Sequence, residues 1–294
     1  MGLVTNKWTI AFRKKRGKLL DDLSGFIPIK ADSKGCYADP FLFDYQGETY
    51  LFAEYYNYRH GLGTIAYARY DRLNNRFGDF REIIKEDYHM SYPLVFVYKN
   101  EIYMMPEAND SNTMYLYKAK QFPDSWTKYA VLSEDARYVD TSLFEYNEKL
   151  FLITKENQSL QAPMRLLKID SEAWKVLDSK IVTNDVSLSR PGGNVFKMDE
   201  EFYIPTQDCK DDYGAALNFL RFSVDSEMNL NYELVKKITP DKLRIEGIEG
   251  INGIHTYNFS NELEVIDFKF PVKSFNRLFW KLIRVSKQKL NLSK

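Results

Sequence analysis

Two cysteines in 294 residues, Cys36 and Cys209, are too few and too isolated for a disulfide framework or a thiolate metal site, so both are expected as reduced thiols. Three histidines, His60, His89 and His255, include no pair at metal-ligand spacing such as H-x-x-x-H; the sequence offers no metal site and asks for no cofactor. Net charge is absent too: 41 Lys and Arg balance 41 Asp and Glu, which removes the global field that would draw nucleic acid as a partner. Long apolar runs are also missing. No stretch reaches the roughly 20 residues of a membrane span, and the early "FRKKRGK" is followed by no apolar segment of signal-peptide length. The expectation is a cytoplasmic protein.

What the chain has in quantity is aromatic side chains, 21 Tyr and 20 Phe, which suit strands and sugar-stacking surfaces alike. At 44% hydrophobic it can bury one large core or two small ones. Its charges are unevenly placed. Residues 268–294 hold eight Lys/Arg and no acid, which leaves −8 on residues 1–267 of this neutral chain.

A repeat organises the larger part. "YADPFLFDYQGETYLFAE" from Tyr37 has relatives in "YPLVFVYKNEIYMMPE" from Tyr92, "DTSLFEYNEKLFLITK" from Asp140, "GGNVFKMDEEFYIPTQ" from Gly192 and, more loosely, "GIHTYNFSNELEVIDF" from Gly253. Each is an apolar strand, a polar turn of about four residues and a second apolar strand, the pattern of a β-hairpin. The first four recur at offsets of 53, 48 and 52 residues, with a second strand pair between them such as "MRLLKIDSEAWKVLDSKIVTND". Four-strand units at a period near 50 predict an all-β fold, a five-bladed β-propeller over residues 1–268. A β-sandwich has no reason to repeat a four-strand block at constant period. "KWTIAFR", Trp8 to Arg13, alternates like a strand ahead of the first hairpin and is expected to supply the outer strand of the last blade, closing the ring.

The first strand of each propeller blade lines the central channel, so equivalent positions converge. The strand heads are Asp39, Tyr92, Asp140, Arg190 just before Gly192, and His255; the ends of the second strands are Glu54, Glu107, Lys155 and Gln207, with Asp208 adjacent. This mixture predicts a polar pocket. Facing carboxylates can activate an attacking oxygen and protonate a departing one at an anomeric carbon, although single acids at strand ends more often cap turns or pair with Arg. Asp39, Glu107 and Asp140 are the candidate catalytic residues. Glu54, His89, Tyr92, Arg190, Asp208 and His255 are candidates for holding substrate, and His60 reads as a hydrogen-bonded loop residue. "SRPGGN", Ser189 to Asn194, lacks the Lys-Ser/Thr and helix of a phosphate loop and reads as a tight start to blade four that lets backbone approach a ligand.

Together, "YADPFLFDYQGETYLFAE", "HMSYPLVFVYKNEIYMMPE", "FPDSW", "VDTSLFEYNEKLFLI", "RPGGNVF" with "QDC" and "YG", and "GIHTYN" resemble the five-bladed propeller domain at the N-terminus of plant glucosamine inositolphosphorylceramide transferases and in bacterial proteins of surface-polysaccharide loci. The resemblance covers about Trp8 to Phe268. More distantly, the "ADP" segment is similar to the arabinanase, fructosidase and levansucrase propellers, whose Asp at that position is a base or nucleophile, which implies such a role for Asp39. In some arabinanases a last-blade His helps hold a central ion, which implies a metal contact for His255. The expectation is transfer of a sugar from a sugar or activated-sugar donor to a glycan or lipid-linked acceptor in surface-glycan assembly; the plant proteins carry a separate glycosyltransferase domain after the propeller, so their own transferase activity is not carried over with the resemblance. Its alternatives are a glycosidase and a non-catalytic glycan-binding module, and which of Glu54, Glu107 or Asp140 is the acid stays open.

In "SFNRLFWKLIRVSKQKL", Phe275, Leu278, Phe279, Leu282 and Ile283 recur at spacings of three and four, with Arg277, Lys281 and Arg284 on another face. This pattern predicts a basic amphipathic C-terminal helix within 269–294, either docked on the propeller's side or adsorbed to an anionic membrane at its inner face.

Overall fold

A computed structural model describes residues 4–273 apart from 18, 32 and 136, and arranges them as five sheets. The first blade is Gly35–Tyr45, Glu48–Asn57, Leu62–Asp71 and Arg81–Ile84. The second is Ser91–Tyr98, Glu101–Glu107, Met114–Gln121 and Ser125–Ser133. The third is Tyr138–Tyr146, Lys149–Glu156, Met164–Asp170 and Lys175–Thr183. In the fourth the inner strand is split into Arg190–Pro191 and Phe196–Met198, followed by Glu201–Asp208, Ala216–Val224 and Leu230–Ile238. The expected five-bladed propeller is the fold.

Each blade is buried on both faces, which explains why its second strand reads as a nearly unbroken apolar run. Successive side chains on a strand point to opposite faces. Leu51 accordingly packs with Ile10, Phe12 and Val265 of the last blade, while its neighbour Phe52 packs with Tyr92, Met104 and Leu116 of the second. Both are fully buried. Outer strands lose this double cover: Leu177 and Ile181 on Lys175–Thr183 are exposed.

The last blade joins the two ends of the chain. Its inner pair is Gly253–Phe259 and Leu263–Lys273, and Val4–Lys14 pairs with the latter along its whole length, from Val4 opposite Lys273 to Lys14 opposite Leu263. "KWTIAFR" therefore closes the ring, but as the third strand; Ser24–Pro28 lies outside it as the fourth. The two-residue strand Arg244–Ile245 pairs parallel with Ser24–Pro28 at the outer edge, so the N-terminal segment supplies the two strands between this short edge and the inner hairpin. Pairing with Val4–Lys14 carries the final strand five residues past 268. The expected helix at 274–290 lies outside the described residues.

Arg13 locks this closure. Its side chain is buried, with Nε donating to Glu264 Oε1 at 2.7 Å, Nη1 and Nη2 donating to the Ser24 and Asp22 carbonyls at 2.5 and 2.6 Å, and its guanidinium 4.2 Å from the Phe26 ring centroid. Glu264 Oε2 accepts the Tyr257 hydroxyl at 3.0 Å. Removing one member of a buried ion pair strands the other charge and typically costs about 3–5 kcal/mol. Glu264→Ala should therefore lower the stability read by urea unfolding by about that amount, and Arg13→Met combined with Glu264→Leu should recover most of it. A loss below about 1 kcal/mol, the range of surface pairs, would show that the pair does not lock the ring.

Candidate active site

The channel-lining strands share one irregularity at their heads. Ladder pairing skips between Ala38 and Phe41, Ser91 and Leu94, Val139 and Ser142, and Ile254 and Tyr257, so that two residues oppose one on the neighbouring strand. Such a bulge re-aims a side chain out of the sheet's alternation. The first bulge residue in the first three blades, Asp39, Tyr92 and Asp140, has left-handed backbone with φ of 50°, 47° and 51°. That conformation costs side-chain-bearing residues about 1–3 kcal/mol and concentrates at functional sites.

Two hydrogen-bonded groups result. In the first, Asp39 Oδ1 lies 3.2 Å from Thr256 Oγ1 and 3.4 Å from His255 Nε2, while Oδ2 accepts the Tyr92 N–H at 3.3 Å. His255 Nδ1 is 2.6 Å from Asp267 Oδ1. Trp8 stacks on the imidazole at 4.0 Å between centroids, and Tyr213 meets it edge-on at 5.1 Å. In the second group, Asp140 Oδ2 accepts Arg190 Nε and, at 2.7 Å, Gln207 Nε2; its backbone N–H donates to Glu107 Oε2 at 3.3 Å. Arg190 Nη2 lies 3.9 Å from the same Glu107 oxygen, and the guanidinium sits 4.9 Å from the Tyr213 centroid.

Beside them, His89 Nδ1 accepts the Gly63 N–H at 2.9 Å. This assigns the ring proton to Nε2, which faces Glu54 Oε1 at 3.6 Å, beyond hydrogen-bond range. Gly63 is required here, since a Cβ would stand 2.4 Å from Met90 O and 2.6 Å from Glu54 Oε1.

The structure brings Asp39, Glu54, His89, Glu107, Asp140, Arg190 and His255 to this end of the channel. Tyr92 and Asp208 behave differently. The Tyr92 ring is fully buried against Phe41, and its hydroxyl accepts the Gly193 N–H at 2.7 Å and lies 3.1 Å from both Ser142 Oγ and Gly193 O. It braces three blades and has no hydroxyl capacity left for a substrate. Asp208 Oδ2 accepts Lys237 Nζ at 2.6 Å, turning to the outer strand of its own blade. His60 is an exposed loop residue whose N–H donates to Asn57 Oδ1, as expected. The glycines of "SRPGGN" make room for the neighbouring blade: a Cβ on Gly193, at φ 151°, would lie 2.0 Å from Tyr257 O.

Three contributors were not singled out in the sequence: Asp267, Trp8 and Tyr213. Asp267 stands opposite the last-blade bulge, where the other blades have Ala53, Pro106 and Thr154. A lone acid inside the apolar run "LEVIDF" was the available signal.

Electrostatics separate the carboxyls. Burial, reinforced by Asp140 and Asp267 and opposed by His255 and Arg190, raises Asp39 to about 7. Glu54 is pushed well up by burial and then by the charges of Asp39, Asp267 and Asp140. Glu107 is pushed up by burial and by Asp140, against the pull of Arg190. Burial alone would depress His255, but the Asp267 charge and hydrogen bond, with Asp39 beyond, outweigh it and hold the imidazole above its ordinary value. His89 falls below it through burial.

Among the described residues, Asp39, His255 and Asp267 place potential metal ligands within 4.8 Å of one another. Asp267, however, is saturated. Oδ1 accepts His255 Nδ1 and the His255 and Thr256 N–H groups, and Oδ2 accepts the Asp39 N–H at 2.9 Å. Only His255 Nε2 and Asp39 would remain for a cation, too few for a protein-built site.

Fold and site together define a five-bladed β-propeller with a buried, carboxyl-rich pocket at one end of its channel. The chain belongs to the family described as "Glucosamine inositolphosphorylceramide transferase 1, N-terminal", whose model matches residues 30–262. It is 33% identical over 216 residues to glucosamine inositolphosphorylceramide transferase 1 of Oryza sativa subsp. japonica, covering 68% of this chain and 29% of that protein. The Arabidopsis thaliana protein of the same name is 29% identical over 233 residues, covering 76% of this chain and 30% of its own length. The chain thus spans under a third of these relatives. Among solved structures, the catalytic domain of a GH62 α-L-arabinofuranosidase from Coprinopsis cinerea superposes with a TM-score of 0.60 at 12% identity, covering 82% of this chain and 94% of that one, a likeness of fold.

A carboxyl raised in the folded state contributes stability that is fully present below its unfolded value and lost as pH rises through its folded value. The Asp39 contribution should therefore decline between about pH 4 and about pH 7. Asp39→Asn should flatten that part of the urea-stability profile, and Asp140→Asn should move the Asp39 midpoint seen by carboxyl 13C NMR to lower pH. An Asp39 midpoint near 4 in the intact protein would refute the assigned burial.

Proposed function

We propose that this propeller is a carbohydrate-active enzyme that transfers a sugar during assembly of a surface polysaccharide or glycolipid, with Asp39 as general base and Glu107 as general acid. The observation that carries the reading is the convergence of Asp39, Glu107 and Asp140 from three blades on one buried pocket, with Asp39 at about 7 and Glu107 raised. An acceptor hydroxyl attacking an anomeric carbon gives its proton to a base, while the departing oxygen takes one from an acid. Asp140, held by Arg190 and Gln207, is the residue that tunes both neighbours rather than a proton carrier. The name of the relatives supports a sugar paired with a lipid or glycan acceptor.

The fold likeness to an α-L-arabinofuranosidase supports a second reading, hydrolysis through the same carboxyls with water as the attacking oxygen. Incubation with activated-sugar donors and lipid-linked acceptors, with product analysis, separates transfer from hydrolysis and from a module that only binds glycan. Asp39→Asn should lower turnover by about 10²–10⁴-fold, the usual worth of a positioned base. Because the base works deprotonated, kcat/KM should rise with pH through about 7. Unchanged turnover in Asp39→Asn rejects the assignment.

We also propose that the protein works in the cytoplasm at the inner membrane face, held there by residues 274–290. No helix among the described residues is long and apolar enough to cross a membrane. The support is the six Lys/Arg and no acid of residues 274–294, together with Phe275, Leu278, Phe279, Leu282 and Ile283. Co-sedimentation with anionic liposomes should be strong for the full chain, weak for a chain ending at Lys273, and reduced in high salt as the screening length falls from about 10 Å at 0.1 M to about 3 Å at 1 M. Equal binding by both chains would remove the tail from the proposal.

A further inference from the structure

Three Lys or Arg side chains are buried among the described residues: Arg13, Lys155 and Lys269. Arg13 is paired with Glu264, and Lys269 Nζ lies 2.5 Å from Asp212 Oδ2. Lys155 has no carboxylate within ion-pair range among the described residues. Its Nζ donates instead to the carbonyls of Leu160 and Ala162 at 3.0 and 2.8 Å and to Ser189 Oγ at 2.9 Å. Three neutral oxygens satisfy the N–H groups but leave the charge uncompensated, an unusual state for a buried cation. Burial and the neighbouring Arg190 accordingly depress the Lys155 pKa.

The position is informative. Ladder pairing places Lys155 opposite Val139 just as Glu54 stands opposite Ala38 and Glu107 opposite Ser91, so the third blade carries a cation where the first two carry acids. Lys155 lines a cavity of about 240 Å³, together with Asn157, Ser159, Arg190 and Tyr213. That is roughly eight water volumes at about 30 Å³ each. Arg190 turns Nε to Asp140 and Nη2 toward Glu107, while Nη1 has no acceptor among the described residues. Arg190 and Tyr213 belong to the carboxyl pocket as well, so the two spaces share a wall.

We infer that this cavity is an anion subsite that takes a phosphate group of the substrate, held by the Lys155 charge, Arg190 Nη1 and the polar side chains of Asn157 and Ser159. A phosphate there neutralises the buried ammonium and leaves a sugar attached to it lying over Asp39 and Glu107. The placement of that sugar rests on the transferase reading; the anion site itself does not. Asn157 and Ser159 are exposed, which gives the cavity its opening to solvent. The phosphate has two sources under the proposed function, the diphosphate of an activated donor or the phosphodiester of a lipid-linked acceptor.

Titration calorimetry on the full chain at constant ionic strength tests this with inorganic phosphate, a glycerophosphodiester and a nucleoside diphosphate. Wild-type protein should bind at least one of them. Tightest binding of the nucleoside diphosphate assigns the site to the donor, and tightest binding of the glycerophosphodiester to the acceptor. Lys155→Met, which keeps the length of the chain but removes the charge, should weaken binding at least tenfold, and Ser159→Asp, which puts a carboxylate at the opening, should do the same. Ser159→Asp carries the decision if Lys155→Met does not fold by circular dichroism. Absence of binding by wild type, or wild-type affinity in the folded variants, overturns the inference. Asp39→Asn should keep phosphate affinity; if that variant also keeps its turnover, the base assignment fails and the anion site stands.

Discussion

One fully buried carboxylate, Asp267, ties the first blade to the last, and the rest of the pocket depends on it. It accepts backbone N–H groups from Asp39, His255 and Thr256 as well as the His255 ring. The left-handed turn that aims Asp39 into the channel is therefore fixed by a residue 228 positions away in sequence. Asp267 also pairs in the ladder with Ile10 of the N-terminal strand, and Trp8 of that strand stacks on His255. Closing the ring and assembling the site are the same event, since the strand that completes the last blade also positions its imidazole.

The pocket divides by sign. On the side of the first and second blades, burial pushes the carboxyl groups of Asp39, Glu54 and Glu107 above their ordinary range. Between the third and fourth blades stand Lys155 and Arg190, the latter paired with Asp140. In a medium of low dielectric such separation survives only where hydrogen bonds or pairing satisfy each charge. Asp140 meets that condition through Arg190 and Gln207, whereas Lys155 meets it with neutral oxygens alone.

A propeller delivers the same ladder position from each blade to one place, and here Glu54, Glu107, Lys155 and Gln207 occupy it in turn. Substitution at one position of a repeat thus changes the chemistry of the pocket without disturbing the sheets, which are held by contacts between blades. This is why backbones agree over 82% of the chain with a propeller only 12% identical, while the side chains at the channel are free to differ.

The five blades were legible in the sequence because a blade must bury both faces, and that demand writes four apolar strands and their turns at a constant period. The convergence of Asp39, Asp140, Glu107, Arg190 and His255 was legible for the same reason, since equivalent strand heads share one channel. Other features depended on three-dimensional placement. Tyr92 occupies an equivalent position to Asp39, yet its longer side chain reaches past the pocket to Gly193 and braces the blades. Asp208 follows Gln207, and strand alternation turns it to the opposite face, toward Lys237. "KWTIAFR" announced a strand but not its rank in the last sheet, because rank depends on how many strands the far end of the chain contributes. The sequence by itself determined the repeat and which strand ends converge, as both follow from local alternation and a constant period. Tertiary structure decided which carboxyls are pushed above their ordinary range and which buried cation has no acid beside it among the described residues, because burial and charge pairing depend on partners brought together from distant parts of the chain.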